Sequence, residues 1–186
     1  MHWADFAAQT LSQRGSKHII ASGITPSGEF HIGHLREILT GDMITRACRS
    51  AGLDAEFVFI VDSADPLRKV YPFLSDEYEQ YIGCALATIP APDENGKPGN
   101  DGRNYAEHFL EPFLAALAQI DVRPRIIDNY DSYANGKFAE KSRIACEKAG
   151  EIREIIERVS GRELAEKWFP YNPYGHDGSL DGVTVT

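Results

Sequence analysis

The chain has 186 residues, 42% of them hydrophobic and 25% charged, with a formal net charge of −9 at pH 7. That length holds one domain with a sizeable core, and the composition is that of a globular chain rather than a disordered one. The acid excess argues against a surface that grips nucleic acid non-specifically, while leaving room for local basic contacts with an RNA end. No apolar run approaches the ~20 residues needed to span a bilayer. The N-terminus, Met1-His-Trp-Ala-Asp5, has neither a basic n-region nor an apolar h-region, so no secretory signal is expected. Cys48, Cys84 and Cys146 are odd in number and form no CxxC pair. They signal neither a disulfide framework nor a zinc site, and a cytoplasmic location is the expectation.

Trp3 to Leu11, with Trp3, Phe6, Ala7 and Leu11 as its apolar positions, predicts a short amphipathic helix. His18-Ile-Ile-Ala21 is then an apolar run that reads as a buried strand. The chain turns through Gly23, Pro26 and Gly28 and enters a helix in which Leu35, Ile38, Leu39, Met43 and Ala47 recur at helical spacing. The first turn of that helix is His31-Ile-Gly-His34. A helix N-terminus presents unpaired N–H groups and a positive dipole end, which suits phosphate. His31 and His34, three apart, lie on one face of the turn. Two histidines in one helical turn are most often surface or cap residues. Here Pro26-Ser27-Gly28-x-x-His31-Ile-Gly33-His34 follows a strand and opens a helix, and that context makes it a nucleotide-phosphate site. Imidazoles donate hydrogen bonds to phosphoryl oxygens, and Gly33, without a side chain, lets a flat base approach the backbone.

Ala51-Gly52 stops the helix, and Ala55 to Val61 is a second apolar strand, completing a βαβ unit. A doubly wound sheet takes its ligand at the carboxyl ends of such strands, so the loop from Asp62 to Pro72 lies near the site. Asp62 and Asp65 are either turn and capping residues or ligand contacts. Arg68 and Lys69 are either a solvated face or a contact to phosphate or RNA. Residues 90–104 are rich in Pro, Gly, Asn and Asp and predict an exposed loop. Tyr105 to Leu117 is a helical pattern that Pro112 kinks or restarts. His108 within it is a packed or capping histidine, or a phosphate or tRNA contact. Arg125-Ile-Ile-Asp128 is a third strand and Tyr130 to Gly136 is turn-rich. Phe138 to Val159 predicts one long helix with Ile152, Ile155, Ile156 and Val159 on its apolar face. Arg153–Glu157 and Glu154–Arg158 are spaced as i,i+4 pairs on a solvated face, and Gly161 closes the helix. Val183-Thr-Val-Thr186 reads as a strand without a partner.

These segments together resemble the N-terminal half of the catalytic core of class I lysyl-tRNA synthetase, the archaeal-type enzyme. The resemblance rests on His2-Trp-Ala-Asp5, Ala21-Ser-Gly-Ile-Thr-Pro-Ser-Gly28, His31-Ile-Gly-His34, Leu35-Arg-Glu37 and Asp65-Pro-Leu-Arg-Lys-Val-Tyr-Pro-Phe-Leu74. It continues through Tyr105 to Phe113, Ile152-Arg-Glu154 and Val159 to Leu164, and so covers about residues 2 to 173. It implies an α/β fold with a doubly wound parallel sheet, the first half of a Rossmann-type nucleotide-binding fold. Residues 1–166 are expected to form that half, and 167–186 to begin a connecting insertion that is cut short. The implied activity is that of a ligase, with ATP and Mg²⁺, lysine and the acceptor end of tRNA(Lys) as its partners and no membrane. By the same resemblance His31 and His34 stabilise phosphate charge, and Pro26, Ser27, Gly28 and Gly33 line the ATP site. Gly23 and Thr25 then line the lysine pocket.

The chain departs from the family in two places. No Lys-Met-Ser-Lys-Ser-type loop occurs; Lys141-Ser142 falls inside a predicted helix. After Asn172-Pro173, where many relatives carry a Cys-x-x-Cys zinc motif, this chain has Tyr174-Gly-His-Asp-Gly178, so no zinc is predicted there. The expectation is therefore half an active site, a fragment or truncated paralogue. Two other readings stand beside the ligase: a non-catalytic paralogue that binds ATP or a tRNA end, and a small nucleotidyltransferase with a His-x-Gly-His motif.

Overall fold

Three parallel strands in the order β1-β2-β3 carry the molecule. A computed structural model describes residues 2–176 and 178–180. β1 (Lys17–Ile24) runs beside β2 (Asp54–Val61), and β2 beside β3 (Arg125–Asp128). Ile24 pairs with Val61 and Val61 with Asp128, so all three strands end in one row. The loops that leave Ile24, Val61 and Asp128 therefore emerge side by side at one edge of the sheet.

Parallel neighbours require crossovers, and both are helices: α2 (Ile32–Ser50) joins β1 to β2, and α3 (Tyr105–Gln119) precedes β3. Both pack on one face of the sheet. Phe57, Phe59 and Val61 alternate onto it with Ile20 and Ile24, and they meet Ile38 and Leu39 of α2 and Leu110, Phe113, Leu114 and Leu117 of α3. Contact between α2 and β2 is close enough to demand glycine at one point, since a Cβ on Gly41 would lie 2.5 Å from Phe57. α1 (Trp3–Ser12) lies against α2, with Ala8 packed on Cys48 and Ala55. The opposite face of the sheet carries Ile19, which is 62% exposed, and the Glu56–Arg125 ion pair at 2.6 Å.

Between β2 and α3 the chain builds a second small core. Leu67, Leu74, Tyr78, Leu86 and Ile89 close on Tyr105, Ala106 and Phe109 at the start of α3. A 3-10 turn (Asp76–Tyr81) presents Tyr78, whose hydroxyl donates to the Pro90 carbonyl at 2.9 Å. The expectation of an exposed loop over 90–104 is corrected here. Ala91, Pro92 and Gly96 are buried, and Pro90 bridges Asn104 while Pro92 bridges Pro98. Polar turn composition described the loop's tip and missed that its base is folded onto the second core.

Three further expectations change. α3 is one helix from Tyr105 to Gln119 with Pro112 inside it, so the helix does not restart there. The turn-rich stretch after β3 is a short helix, α4 (Asn129–Ala134), capped by Asp128, whose carboxylate accepts from the Asp131 N–H at 2.9 Å. The single long helix is two, α5 (Ala139–Glu147) and α6 (Ala149–Ser160), interrupted at Lys148 with φ −103° and ψ 20°. Gly161 ends α6 in the left-handed conformation at φ 67°. The apolar stripe of α6 is not a core face, since Ile155 is 50% and Val159 78% exposed. Arg153 is also more than part of a solvated face: it pairs with Glu157 at 3.3 Å and donates to the Leu164 carbonyl at 2.6 Å, tying down the chain beyond α6. The strand expected at Val183–Thr186 lies outside the described residues.

Candidate functional site

The loop after β1 is fixed from both sides. Pro26 is fully buried, the Ser27 N–H donates to the Thr25 carbonyl at 2.9 Å, and the Tyr105 hydroxyl donates to the Ser27 carbonyl at 2.8 Å. Gly28 lies beneath Phe73, where a Cβ would stand 3.3 Å from the ring. His31 then caps α2. Its Nδ1 accepts from the Gly33 N–H at 3.1 Å, and the Nδ1 of His34 accepts from the His31 N–H at 3.1 Å. This is a reciprocal capping box with imidazoles in place of the usual hydroxyl and carboxylate.

That geometry assigns the tautomers. Each Nδ1 accepts, so each neutral ring carries its proton on Nε2. The rings stack with centroids 3.9 Å apart, and burial together with the neighbouring His31 pushes the His34 pKa down, with Glu37 acting the other way. Two Nε2–H donors thus stand together at a helix N-terminus. The cap reading and the ligand reading of this pair are one arrangement, because capping uses one nitrogen of each ring. Gly33 has a local cause as well: a Cβ there would meet the His31 ring at 2.8 Å. In this conformation the imidazole of His31 fills the space over Gly33.

His31 and His34 line a cleft of about 620 Å³ together with Thr25, Ser27, Gly28 and His108. Tyr71, Phe73, Pro92, Gly96 and Phe109 also line it, as do the carboxylates of Glu29, Asp93 and Glu94. His108 has its Nδ1 buried with no hydrogen-bond partner. Burial and the Arg103 charge push its pKa down, against the pull of Asp101 and Glu111.

A second cleft, of about 580 Å³, opens over the ends of β2 and β3. Asp62, Asp65, Asn129, Tyr130 and Tyr133 line it, and Pro170 to Tyr174 fold over it, with the Tyr174 hydroxyl donating to the Ala64 carbonyl. The Asn129 amide donates to Asp62. Burial, then the charge of Asp65, pushes the Asp62 pKa up, and the Asn129 bond opposes them. Asp65 accepts from the Thr25 hydroxyl at 2.8 Å and pairs with Arg68 at 3.5 Å. Asp62 Oδ2 stands 3.9 Å from the point a Cβ on Gly23 would occupy. Neither carboxylate caps a helix, and both are turned toward the cleft side of the loop.

The predicted residues therefore fall into two groups. Thr25, Ser27, Gly28, His31, His34 and His108 share the first cleft, and Asp62 and Asp65 share the second. The Thr25–Asp65 hydrogen bond joins the two linings, and we read it as the partition between them. Pro26 shapes the turn from inside. Arg68 and Lys69 line neither cleft: the Arg68 side chain is 73% exposed, and Lys69 sits 5.5 Å over the Tyr71 ring. Sequence reasoning missed Glu37, which holds the Ser22 hydroxyl at 2.7 Å and lies 3.4 Å from the Gly23 N–H. Its spacing of three from His34 was the available signal. It also missed Asn129, Tyr71 and Phe73. Among the described residues no three His, Cys, Asp or Glu side chains are placed to hold a metal ion, and no helix is long and apolar enough to cross a membrane.

Over 173 residues the chain is 43% identical to lysine–tRNA ligase 1 of Methanosarcina acetivorans, a match that covers 93% of this chain and 31% of that protein. It is 43% identical over 187 residues to lysine–tRNA ligase of Archaeoglobus fulgidus, covering 100% of this chain and 37% of the relative. Against the Methanocaldococcus jannaschii protein of that name, identity is 42% over 174 residues, 92% of this chain and 32% of the relative. The chain thus spans about a third of the length of these relatives. The family described as tRNA synthetases class I (K) matches residues 1–186, from end to end, and the chain belongs to that family.

Proposed function

We propose that this chain is the nucleotide- and lysine-handling part of a lysine–tRNA ligase. In the reaction the lysine carboxylate attacks the α-phosphorus of ATP in line, forming lysyl-adenylate and releasing pyrophosphate. The lysyl group then passes to the terminal ribose of tRNA(Lys). One observation carries the reading: the reciprocal cap of His31 and His34 leaves two Nε2–H donors side by side at the N-terminus of α2, facing a cleft. Such donors are fixed before charge develops, which is what stabilisation of a phosphoryl transition state requires. A magnesium ion carried by the triphosphate would share that charge, while His31 and His34 supply the protein's own donors.

Thr25 lines the imidazole cleft and is bonded to Asp65 of the second, and Gly23 lies beside Asp62, so lysine spans the two with its carboxylate toward the imidazoles. Asp62 and Asp65 are then better placed for a cation than for phosphate, and we assign Asp62 to the ammonium group of the amino acid. His108 lies within the phosphate cleft, and Arg68 and Lys69 lie outside both clefts, open to contact with the tRNA end. Residues 1–166 make up the first half of the nucleotide fold and 167–186 begin the insertion that follows it. A cytoplasmic location fits a partner of tRNA.

The test uses a protein that carries the downstream part of the fold, with lysine-dependent ATP–pyrophosphate exchange measured in the presence of tRNA(Lys). His31→Ala and His34→Ala should each remove about 2.7–4 kcal/mol of transition-state stabilisation, a loss of about a hundredfold or more. Unchanged exchange in both variants would remove the basis for the phosphate site.

A further inference from the structure

Near the end of β1, Ser22 is only 9% exposed, and its hydroxyl donates to Oε1 of Glu37 at 2.7 Å. The same oxygen stands 3.4 Å from the Gly23 N–H. Donor and acceptor are fifteen residues apart, so one carboxylate oxygen joins the last residues of β1 to the second turn of α2. The turn that it spans holds Pro26, Gly28 and His31. Glu37 follows His34 by three residues and shares its helix face. Moving that face moves both imidazoles, because His34 Nδ1 accepts from the His31 N–H at 3.1 Å and the rings stack at 3.9 Å.

A second tie runs the other way. Phe30 meets the His34 ring edge-on at 5.2 Å and stacks on Phe113 of α3 at 4.3 Å. The imidazole pair is thus referred to α3 through Phe30 and to β1 through Glu37. Glu37 acts on His34 by its bond to β1 and also by its charge, which opposes the lowering of the His34 pKa by burial and by His31. Glutamine keeps the acceptor oxygen and lacks the charge, so the two routes are separable.

Resting on the reading of lysine beside Gly23 and triphosphate at the imidazoles, we propose that Glu37 is a positioning residue for the adenylation step. Through Ser22 it sets the distance between the donors on α2 and the amino-acid carboxylate at the end of β1. Glu37 itself touches neither substrate. In-line attack depends on that distance, and a misplacement of about 1 Å costs about a hundredfold in rate.

Lysine-dependent ATP–pyrophosphate exchange is measured, with tRNA(Lys) present, in the protein that carries the downstream part of the fold. The variants are Glu37→Ala, Ser22→Ala, the two combined, and Glu37→Gln. Each alanine should lower kcat about tenfold and leave KM for ATP and for lysine within about twofold, since displaced donors still meet bound phosphate but miss the transition state. The combined variant should lose no more than either single one, because both remove the same bond. Glu37→Gln should recover most of the rate. An undiminished kcat in Glu37→Ala beside a lowered thermal midpoint makes the bond structural only and overturns the proposal. So do losses that multiply in the combined variant, a raised KM for lysine at constant kcat, or a glutamine that fails to recover the rate. His31→Ala and His34→Ala, measured alongside, test the underlying reading. Unchanged exchange in both removes the phosphate site, whereas a loss there with an undiminished kcat in Glu37→Ala removes the positioning role alone.

Discussion

The two clefts open from one row of strand ends yet offer opposite chemistry. In the first, the ring nitrogens of His31 and His34 that remain uncommitted are donors, set at the positive end of a helix. In the second, Asp62 and Asp65 are acceptors, partly buried and mutually repelling. The Thr25–Asp65 bond at 2.8 Å joins a residue of one to a residue of the other. An amino acid with its carboxylate toward a triphosphate needs that sorting: anion-stabilising groups on one side of the reacting carboxyl, cation-holding groups on the other. The difference shows how a parallel sheet assembles both halves. The donor cleft is made within one loop and one helix turn, whereas the acceptor cleft requires β2, α4 and the segment from Pro170 to Tyr174 to converge.

The sharpest way to break the donor side without touching a histidine is Gly33→Ala. Alanine is the better helix former by roughly 1 kcal/mol, and Gly33 sits in the first turn of α2. A Cβ there would nonetheless stand 2.8 Å from Cε1 and 3.0 Å from Nδ1 of His31. The ring is the free end of a side chain, so it swings away and the helix survives. The lost cap bond from His31 to the residue-33 N–H costs about 1 kcal/mol and offsets the propensity gain, so thermal unfolding should be little changed. In a protein carrying the whole fold, lysine-dependent exchange should drop toward that of His31→Ala, about tenfold to a hundredfold. Undiminished exchange would mean that the observed ring position has no part in catalysis.

The partition itself is tested by Thr25→Val, which keeps the shape and removes the hydroxyl. A hydrogen bond to a charged group is worth about 1.5–3 kcal/mol, and the half-exposed site places the loss at the low end. A fall in thermal midpoint is expected, together with parallel weakening of ATP and lysine in calorimetric titrations, and Thr25→Ser should restore both. Loss confined to one ligand would show that the two clefts are independent and that the bond is no partition.

What was legible in the sequence follows from the range of the interactions. The β1 turn and the α2 cap are local: His31 bonds Gly33 two residues on, and His34 reaches back three. Periodicity, Pro26, Gly28 and the paired histidines therefore carry the site in one readable stretch. The acceptor cleft depends on bonds between residues 67 apart, Asp62 with Asn129, and 40 apart, Thr25 with Asp65. Nothing in the surroundings of Asn129 distinguishes it from a turn residue, and α4 is built from Asn, Asp and Ser, which prefer turns when isolated. The break between α5 and α6 is equally opaque, since Lys148 is an ordinary helix former that leaves helical geometry here. Phe73 reads as a core aromatic by type; only the burial of its neighbours and its own exposure set it apart.

The smallest effect expected is on the acceptor side, and it runs opposite in stability and function. Asp62 has its pKa raised above the ordinary value of 3.8, first by burial and then by Asp65. An acid whose folded pKa is raised binds more protons folded than unfolded, so its contribution to stability declines as pH rises from 3.8 through the folded value and stays low above it. Asp62→Asn removes that penalty and keeps an acceptor oxygen for the Asn129 amide. At pH 7 the variant should be more stable than the parent by about 0.5 kcal/mol, measured by denaturant unfolding. The gap should close as pH falls through the raised folded value, where the parent carboxyl takes up its proton. The KM for lysine should rise while that for ATP holds, if Asp62 is the ammonium partner that we propose, because the imidazole cleft is untouched. A variant that is more stable and binds lysine equally well would leave Asp62 a strained structural residue and move the ammonium to Asp65.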